Sequence, residues 1–415
     1  MKILIKNVNR TFMLSLFMIV ANTLIAQQSP YHIINGVLKD SKTGEKISFA
    51  SISVPNTGIG TVSNSDGEFI LKVGNSVKAE YFEVTHLSYT TGRFKISETT
   101  EGVKVYFLDV QPVQLKEISV IPADARGIVE MAFRKIRENY AEIPNMMTGF
   151  YRESIIQRHD FLSVSEAVLD IYKAPYSGFQ NDQVKIFRGR KSSDVKQADT
   201  LMVRLQGGPY VLLLLDIVKN TDLSIALNDL NNYRFEFGTV VNIDGQQHWV
   251  INFSPAVMKE EPLYFGKLYI SANNMAIARA EFNLDLQDIG KATTAFIKKK
   301  PGGMIFVPVS TSYLVTYKED NGKYYLNYVR VDLKFRCDWK KKLFKNSYSL
   351  MSEMAITGRS EDHIVKFQND ELFRSNMIFT ENVEDFTDTD FWGEHNIIEP
   401  EQSIENAIQK LNRKK

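Results

Sequence analysis

INGVLKDSKTGEKISFASISVPNTGIGTVSNSDGEFIL, residues 34–71, is the stretch on which the fold turns. Phe49, Ser51 and Ser53 alternate with Ala50, Ile52 and Val54, and Phe69 and Leu71 alternate with Glu68, Ile70 and Lys72. A period of two is that of a strand with one buried face. Asp66-Gly67 supplies the positive φ that a tight turn between two strands requires. The same punctuation runs from His32 to Leu108 without a helical period, which predicts a β-sandwich of short strands.

Working outward toward the N-terminus, Lys2, Lys6 and Arg10 precede an apolar run from Phe12 to Ala21, and Leu24-Ile25-Ala26 stands before a cut at Gln27. This is the pattern of a secretory signal peptide over residues 1–26. The apolar run is about half of the roughly 20 residues that span a bilayer, so no transmembrane span is expected after its removal. The remaining 389 of 415 residues exceed what one core usually organises, and two folded units are expected. The formal charge of +1 falls to −2 without the three leader cations, which gives no electrostatic basis for a nucleic-acid partner. Cys337 is the only cysteine, so no intrachain disulfide forms. Export without disulfides points to a Gram-negative envelope, in the periplasm or at the inner face of the outer membrane.

The segment resembles the carboxypeptidase-regulatory-like domain, a transthyretin-like sandwich. The landmarks are Gly36, Leu38, Asp40, Thr43, Gly44, Ala50, Ile52, Val54, Gly67 and Phe69, followed by the strand Leu115-Lys116-Glu117-Ile118-Ser119-Val120. Ser63-Asn64 and Thr85-His86-Leu87-Ser88-Tyr89 depart from the family pattern before and after the Gly67 turn. The resemblance implies an accessory module that holds rather than reacts. A zinc carboxypeptidase needs a His with a Glu three residues on. The six histidines, His32, His86, His159, His248, His363 and His395, are followed at that spacing by Asn35, Tyr89, Leu162, Ile251, Lys366 and Ile398. The same module also precedes the plug of TonB-dependent receptors, but no plug or long barrel follows it here.

Beyond the sandwich, Ile128, Val129, Ala132, Phe133, Ile136 and Tyr140 recur at helical spacing after Asp124 and before Pro144, predicting one linking helix. From Thr148 the chain again reads as strands, paired through Asp244-Gly245, Asn273-Asn274 and Asp320-Asn321-Gly322. Consecutive hairpins make an antiparallel meander. The strand Trp249, Ile251, Phe253, then Gly266-Lys267-Leu268-Tyr269-Ile270 and Ala278-Arg279-Ala280-Glu281, is similar to the curled half-barrels of periplasmic lipoprotein carriers. That resemblance implies an apolar cavity, for which Tyr210, Leu212, Leu213, Leu214 and Leu215 are the candidate lining; the reading placed ahead of it is that the segment is simply core.

Reaction signatures are absent from the sequence: there is no G-x-S-x-G elbow, no phosphate loop and no dinucleotide fingerprint. Cys337 falls on the apolar face of Val329, Val331, Leu333, Phe335 and Trp339 and reads as packing. Glu381, Glu384, Asp385, Asp388 and Asp390 lack the spacing of a calcium loop, and with Phe386, Phe391 and Trp392 they read as a strap on the body. Lys298 to Lys300 and Lys340 to Lys342 read as solvated edge lysines. Ile404, Ala407, Ile408 and Leu411 predict a last helix.

The expectation is a mainly β protein: signal peptide 1–26, sandwich 27–112, linker strand and helix 113–147, antiparallel β domain 148–380 as a half-barrel or open barrel, and acidic strap with helix 381–415. It is expected to be a non-enzymatic envelope binding or scaffolding protein, with no catalytic residues, cofactor or metal. Its expected partner is another envelope protein; the alternative is a periplasmic carrier of a lipid-like ligand.

Overall fold

The computed structural model describes residues 31–96, 102–111, 124–158, 160–178, 180–193, 204–205, 208–220, 225–243, 245–299, 303–339, 346–385 and 391–413. The expected leader, the expected strand over residues 115–120, Lys300, Lys340–Lys342, Phe386, Asp388 and Asp390 lie outside these residues, and the side chains of Lys298, Lys299, Trp339 and Asp385 are not described. Among the described residues, seven strands form the N-terminal part: β1 (Tyr31–Asp40), β2 (Ser51–Ser53), β3 (Gly60–Val62), β4 (Glu68–Gly74), β5 (Tyr81–His86), β6 (Tyr89–Lys95) and β7 (Val103–Leu108). They make two sheets, β4-β1-β7 and β3-β2-β5-β6. Ile34, Leu38, Ala50, Ile52, Phe69, Leu71, Phe82 and Tyr106 fill the space between them. The alternation seen in the sequence therefore sorts Ala50, Ile52 and Val54 into this core. Gly36 is required there: a Cβ would stand 2.5 Å from the Phe69 ring. Gly67, at φ +73°, makes the predicted turn.

The rest of the chain is built on one large sheet. Its strands are β8 (Asn145–Gln157), β9 (Asp160–Lys173), β10 (Gln183–Ser193), β12 (Tyr233–Ile243), β13 (Gln246–Pro255), β14 (Tyr264–Ser271), β15 (Ile277–Leu284), β17 (Met304–Asp320), β18 (Lys323–Trp339), β19 (Asn346–Ser360) and β20 (Glu384–Asp385). A separate two-stranded ribbon pairs β11 (Arg204–Leu205) with β16 (Ile297–Lys299). The large sheet has the order β12-β13-β14-β15-β17-β18-β19-β8-β9-β10-β20 and does not close, since β12 and β20 stand at its two ends. All its pairs are antiparallel except the short β10–β20 pair. Asn321 and Gly322, at φ 52° and 76°, turn the longest hairpin, β17–β18. The mainly β architecture with an open meander is thus as the sequence indicates.

One face of this sheet carries the main core. Helix α1 (Ala125–Arg134) buries Ile128, Val129, Ala132 and Phe133 there. The single linking helix expected to reach Tyr140 is broken: Lys135, at φ −89° and ψ 10°, separates α1 from a four-residue turn, α2 (Ile136–Asn139). The break lets Tyr140 leave the helix and donate its hydroxyl to Ile277 O at 2.7 Å, inside the core. Asp124 stands at the N-cap but makes no side-chain cap bond.

The opposite face receives the sandwich and the C-terminal segment together. Phe150, Val168, Tyr328 and Ala355 of the sheet pack with Val62 and Phe49 of the sandwich and with Trp392, Ile397 and Ile398. The C-terminal segment clips onto the sandwich edge: Lys72 N donates to Asn396 Oδ1 at 2.6 Å and Asn396 Nδ2 donates to Lys72 O at 3.0 Å. Thr61 Oγ1 donates to Ile397 O at 2.7 Å. The final helix, α5 (Gln402–Asn412), follows two shorter ones, α3 (Pro209–Leu214) and α4 (Ile289–Phe296). It buries Ile404, Ala407 and Leu411, as its spacing predicts.

Candidate functional site

Three places in this architecture have the makings of a site. The first is the seam between the sandwich and the large sheet. Ser51, Ser53, Glu83 and Thr85 point away from the sandwich core, because they alternate with Ile52 and Val84. They meet Thr316, Lys318 and Asn327 of β17 and β18. Lys318 Nζ donates to Ser53 Oγ, and Ser51 Oγ donates to Asn327 Oδ1 at 3.5 Å. Gly58 lies so close to β19 that a Cβ would stand 2.2 Å from Arg359 O. Around these contacts a cleft of about 690 Å³ stays open, walled by residues of both units.

Its arginines are paired inside the protein. Arg93 bonds Glu83 at 2.8 Å, and Arg359 bonds Glu361 at 2.8 Å and also Asp320. The Arg359 guanidinium covers the Tyr325 ring at 3.8 Å. Gln246 Nε2 donates to Glu319 at 3.1 Å. Two residues of the cleft wall, Gln111 and Gln246, each bury an amide oxygen, Oε1, that has no partner. A buried acceptor left unmade costs about 1–3 kcal/mol.

The second place is the outer face of the sheet β4-β1-β7. Val103 is 69% exposed, Phe107 54%, Ile33 44% and Val105 40%. Register brings these side chains together, with Val103 beside Asn35, Val105 beside Val37 and Phe107 beside Lys39. A sheet that faces water normally carries polar residues on that side. Here β7 turns Val103, Val105 and Phe107 outward, while Tyr106 and Leu108 on its other face lie in the core.

The third is the segment Tyr210 to Leu215. Gly208, at φ +88°, and Pro209 start the short helix α3. Leu212, Leu213 and Leu215 lie buried in the main core, Tyr210 packs against it half-buried, and Leu214 is 36% exposed. The neighbouring Asp216 secures the segment: Lys173 Nζ, buried, lies 2.7 Å from the buried Asp216 and 2.6 Å from the partly buried Asp182, and Tyr317 donates its hydroxyl to Asp216 Oδ1 at 2.7 Å. A second buried cation, Arg152, bonds Glu166 at 2.9 Å, Glu353 at 3.2 Å and Ile398 O at 2.7 Å. Sequence reasoning passed over both centres. The signal was there, since Lys173 continues the inward row Leu169, Ile171 and Arg152 follows Phe150 on its own face.

Cys337 is buried beside Phe306, Phe335 and Tyr348, and burial, with Asp338 nearby, pushes its thiol up to about 12, so the unionised thiol packs as a small apolar group. His86 and His248 are both held down to about 4, first by burial. Burial pushes the Glu153 and Glu399 carboxyls up to about 7. Among the described residues no three or more His, Cys, Asp or Glu side chains are grouped to hold a metal ion.

With this geometry in place, comparison with known proteins bears on the sandwich. Residues 34–120 match the sequence model of the CarboxypepD_reg-like domain. No curated protein matches the chain. Solved structures with some likeness include a domain described as an outer membrane lipoprotein-sorting protein domain from Vibrio parahaemolyticus. It is 11% identical with a TM-score of 0.26, covering 62% of this chain and 98% of that one. A DUF1329 family protein from Desulfovibrio piger is 12% identical with a TM-score of 0.26, covering 60% and 99%. A LolA superfamily protein from Nitrosomonas europaea is 10% identical with a TM-score of 0.18, covering 59% and 99%. Among the described residues no helix is long and apolar enough to cross a membrane.

Proposed function

We propose that this is a non-enzymatic binding or scaffolding protein of the cell envelope, working in the periplasm or at the inner face of the outer membrane. Its CarboxypepD_reg-like sandwich, residues 27–112, is held on the large β domain, residues 148–380, and presents its outer sheet to another envelope protein. The observation that carries this reading is the exposed apolar row Val103, Val105 and Phe107 beside Ile33. Covering one such side chain is worth about 1.5–3 kcal/mol, and contiguous exposed apolar surface of this kind marks interaction sites. The leader-like segment, residues 1–26, supports the compartment.

The test is a double substitution, Val105→Lys with Phe107→Lys, in the full chain expressed in its native envelope. Both side chains point out of the sandwich, so the thermal transition should stay within a few degrees of the parent. The expected result is at least tenfold less crosslinked partner. An unchanged partner yield would end the scaffold role of this face.

A second reading is a carrier of an apolar, lipid-like ligand in the large β domain. A groove of about 400 Å³ lined by Ile289, Val307, Val309, Phe335 and Tyr348 favours it. In that case Leu212, Leu213 and Leu215 serve as core and the groove holds the ligand. Organic extraction and mass spectrometry of the gently purified protein decide this: a lipid near one per chain, lost in Val309→Asp, supports the carrier, and an empty protein removes it.

A further inference from the structure

We infer that the side chains of Lys173 and Asp216 condense in the folded protein into an isopeptide bond, with Asp182 as the base. The groups belong to the buried centre beside Tyr210 to Leu215, and neither the partner surface nor the apolar groove is needed for the reaction.

Three features set this centre apart from an ordinary ion pair. It is sealed: the side chains of Lys173 and Asp216 are fully buried and that of Asp182 is 7% exposed. Tyr140 packs on both Tyr176 and Tyr317 beside it, and the Tyr176 ring centroid lies 4.9 Å from Lys173 Nζ. It is unbalanced, because the Lys173 amine meets two carboxyls, at 2.6 Å and 2.7 Å. Lys219, whose charge acts on the same carboxyls, gives its own amine to the Pro175 and Gly178 carbonyls. It is also sorted, since the two oxygens of Asp216 have different partners. Oδ2 meets the amine, whereas Oδ1 accepts from the Tyr317 hydroxyl at 2.7 Å and from Lys219 N at 3.3 Å. Asp182 is fixed in turn: its Oδ1 accepts from Ala174 N at 2.9 Å and its Oδ2 faces the amine.

These are the parts of an acyl transfer: a nucleophile, a carboxyl, a base and donors for the oxyanion. Burial pulls Lys173 toward its neutral amine, and the two carboxylates outweigh it and hold the ammonium. The reaction therefore draws on the minor form in which Lys173 has passed a proton to Asp216 Oδ2. That form buries one charge in place of three, which limits its cost. The free amine attacks Asp216 Cγ while Asp182 takes a second proton from the nitrogen. Charge building on Oδ1 is met by the Tyr317 hydroxyl and the Lys219 N–H. Asp182 then returns its proton to Oδ2, the Cγ–Oδ2 bond breaks and water leaves. One turnover per chain is enough, and groups held in contact react at a high effective concentration. The bond would tie the end of β9 to the turn after α3 and close residues 174–215 into a loop. In a chain whose only cysteine cannot form an intrachain disulfide, it is a covalent staple of another kind.

The experiment is a tryptic digest of the full chain, purified from its native envelope and denatured, read by mass spectrometry. Trypsin cannot cut after a condensed Lys173, so residues 159–185 should appear joined to residues 205–219, at the sum of their masses less one water. Lys173→Arg and Asp182→Asn should each lose the joined peptide. Should a variant fail to fold, the parent digest alone still decides. Residues 159–173 and 205–219 recovered from the parent only as separate peptides would overturn the inference, and a joined peptide that persists in Asp182→Asn would overturn the role of Asp182.

Discussion

The interior of the sandwich and the seam beneath it are built from alternate residues of the same strands, and their chemistry is opposite. Inward, Ile52 and Val84 join Phe69, Phe82 and Tyr106, whose rings meet tilted or edge-on with centroids within 6.0 Å of one another. Outward, Ser51, Ser53, Glu83 and Thr85 meet Thr316, Lys318 and Asn327 across a partly open cleft. The first arrangement gives a module its own core; the second attaches that module without filling the space between. Attachment depends instead on a small apolar junction, Val62 and Phe49 against Phe150 and Tyr328, and on the C-terminal segment laid over Arg152.

The sharpest break of that contrast is Phe82→Ala. It should cost the sandwich about 4 kcal/mol, the scale of a large aromatic truncation in a packed core. Denaturant unfolding should then show the sandwich melting ahead of the large sheet. A single transition shifted as a whole would mean that the two units fold as one.

Next in size is Arg152→Met, which takes from the buried Glu166 and Glu353 the cation they share and leaves them only Arg190 and Arg330, at about 3 kcal/mol. Because Arg152 also holds Ile398 O, limited proteolysis should cut residues 391–401 earlier than in the parent, whereas Phe82→Ala should leave that region protected. At the seam itself, Gly58→Val places carbon against the Arg359 carbonyl and should cost about 1–2 kcal/mol by forcing the units apart. Faster amide exchange at Ser53 and Asn327, with Ile52 unchanged, would place the damage at the seam and not in the core.

The smallest effect is in the pH profile. Burial holds His248 near 4 in the folded protein, against an ordinary 6.5, so the unfolded chain takes its proton first and stability falls as pH drops from 6.5 toward 4. Burial holds Glu399 near 7 against an ordinary 4.5, so here the folded chain keeps its proton longer and stability falls as pH rises from 4.5 through 7. The two slopes oppose each other. Glu399→Gln removes one of them and should make acid loss between pH 6.5 and 4.5 steeper than in the parent, read from denaturation midpoints.

The period-two pattern around Ile52 and Phe69, the Asp66-Gly67 turn and the hairpin at Asn321-Gly322 were legible because each is decided by near neighbours in the chain. The linking helix was legible in its apolar stripe but not in its break, since Lys135 yields to the pull of Tyr140 into a core contact with Ile277. Tyr210 to Leu215 read as core or cavity lining, and Leu212, Leu213 and Leu215 lie in the core, held by the Lys173–Asp216 pair. Those partners lie on different strands and loops, so no local spacing announces them.

By itself, then, the sequence determined the strands, their inward faces and the kind of N-terminal module, because alternation and turn chemistry act over a few residues. The tertiary structure alone decided which outward faces would be covered and which left bare. Ser53, Gln111, Gln246, Lys318 and Arg359 come from distant parts of the chain, and only docking of the sandwich on the large sheet brings them to one cleft. Val103, Val105 and Phe107 became a surface for the same reason: the sandwich has two outer faces, and the body covers the other one.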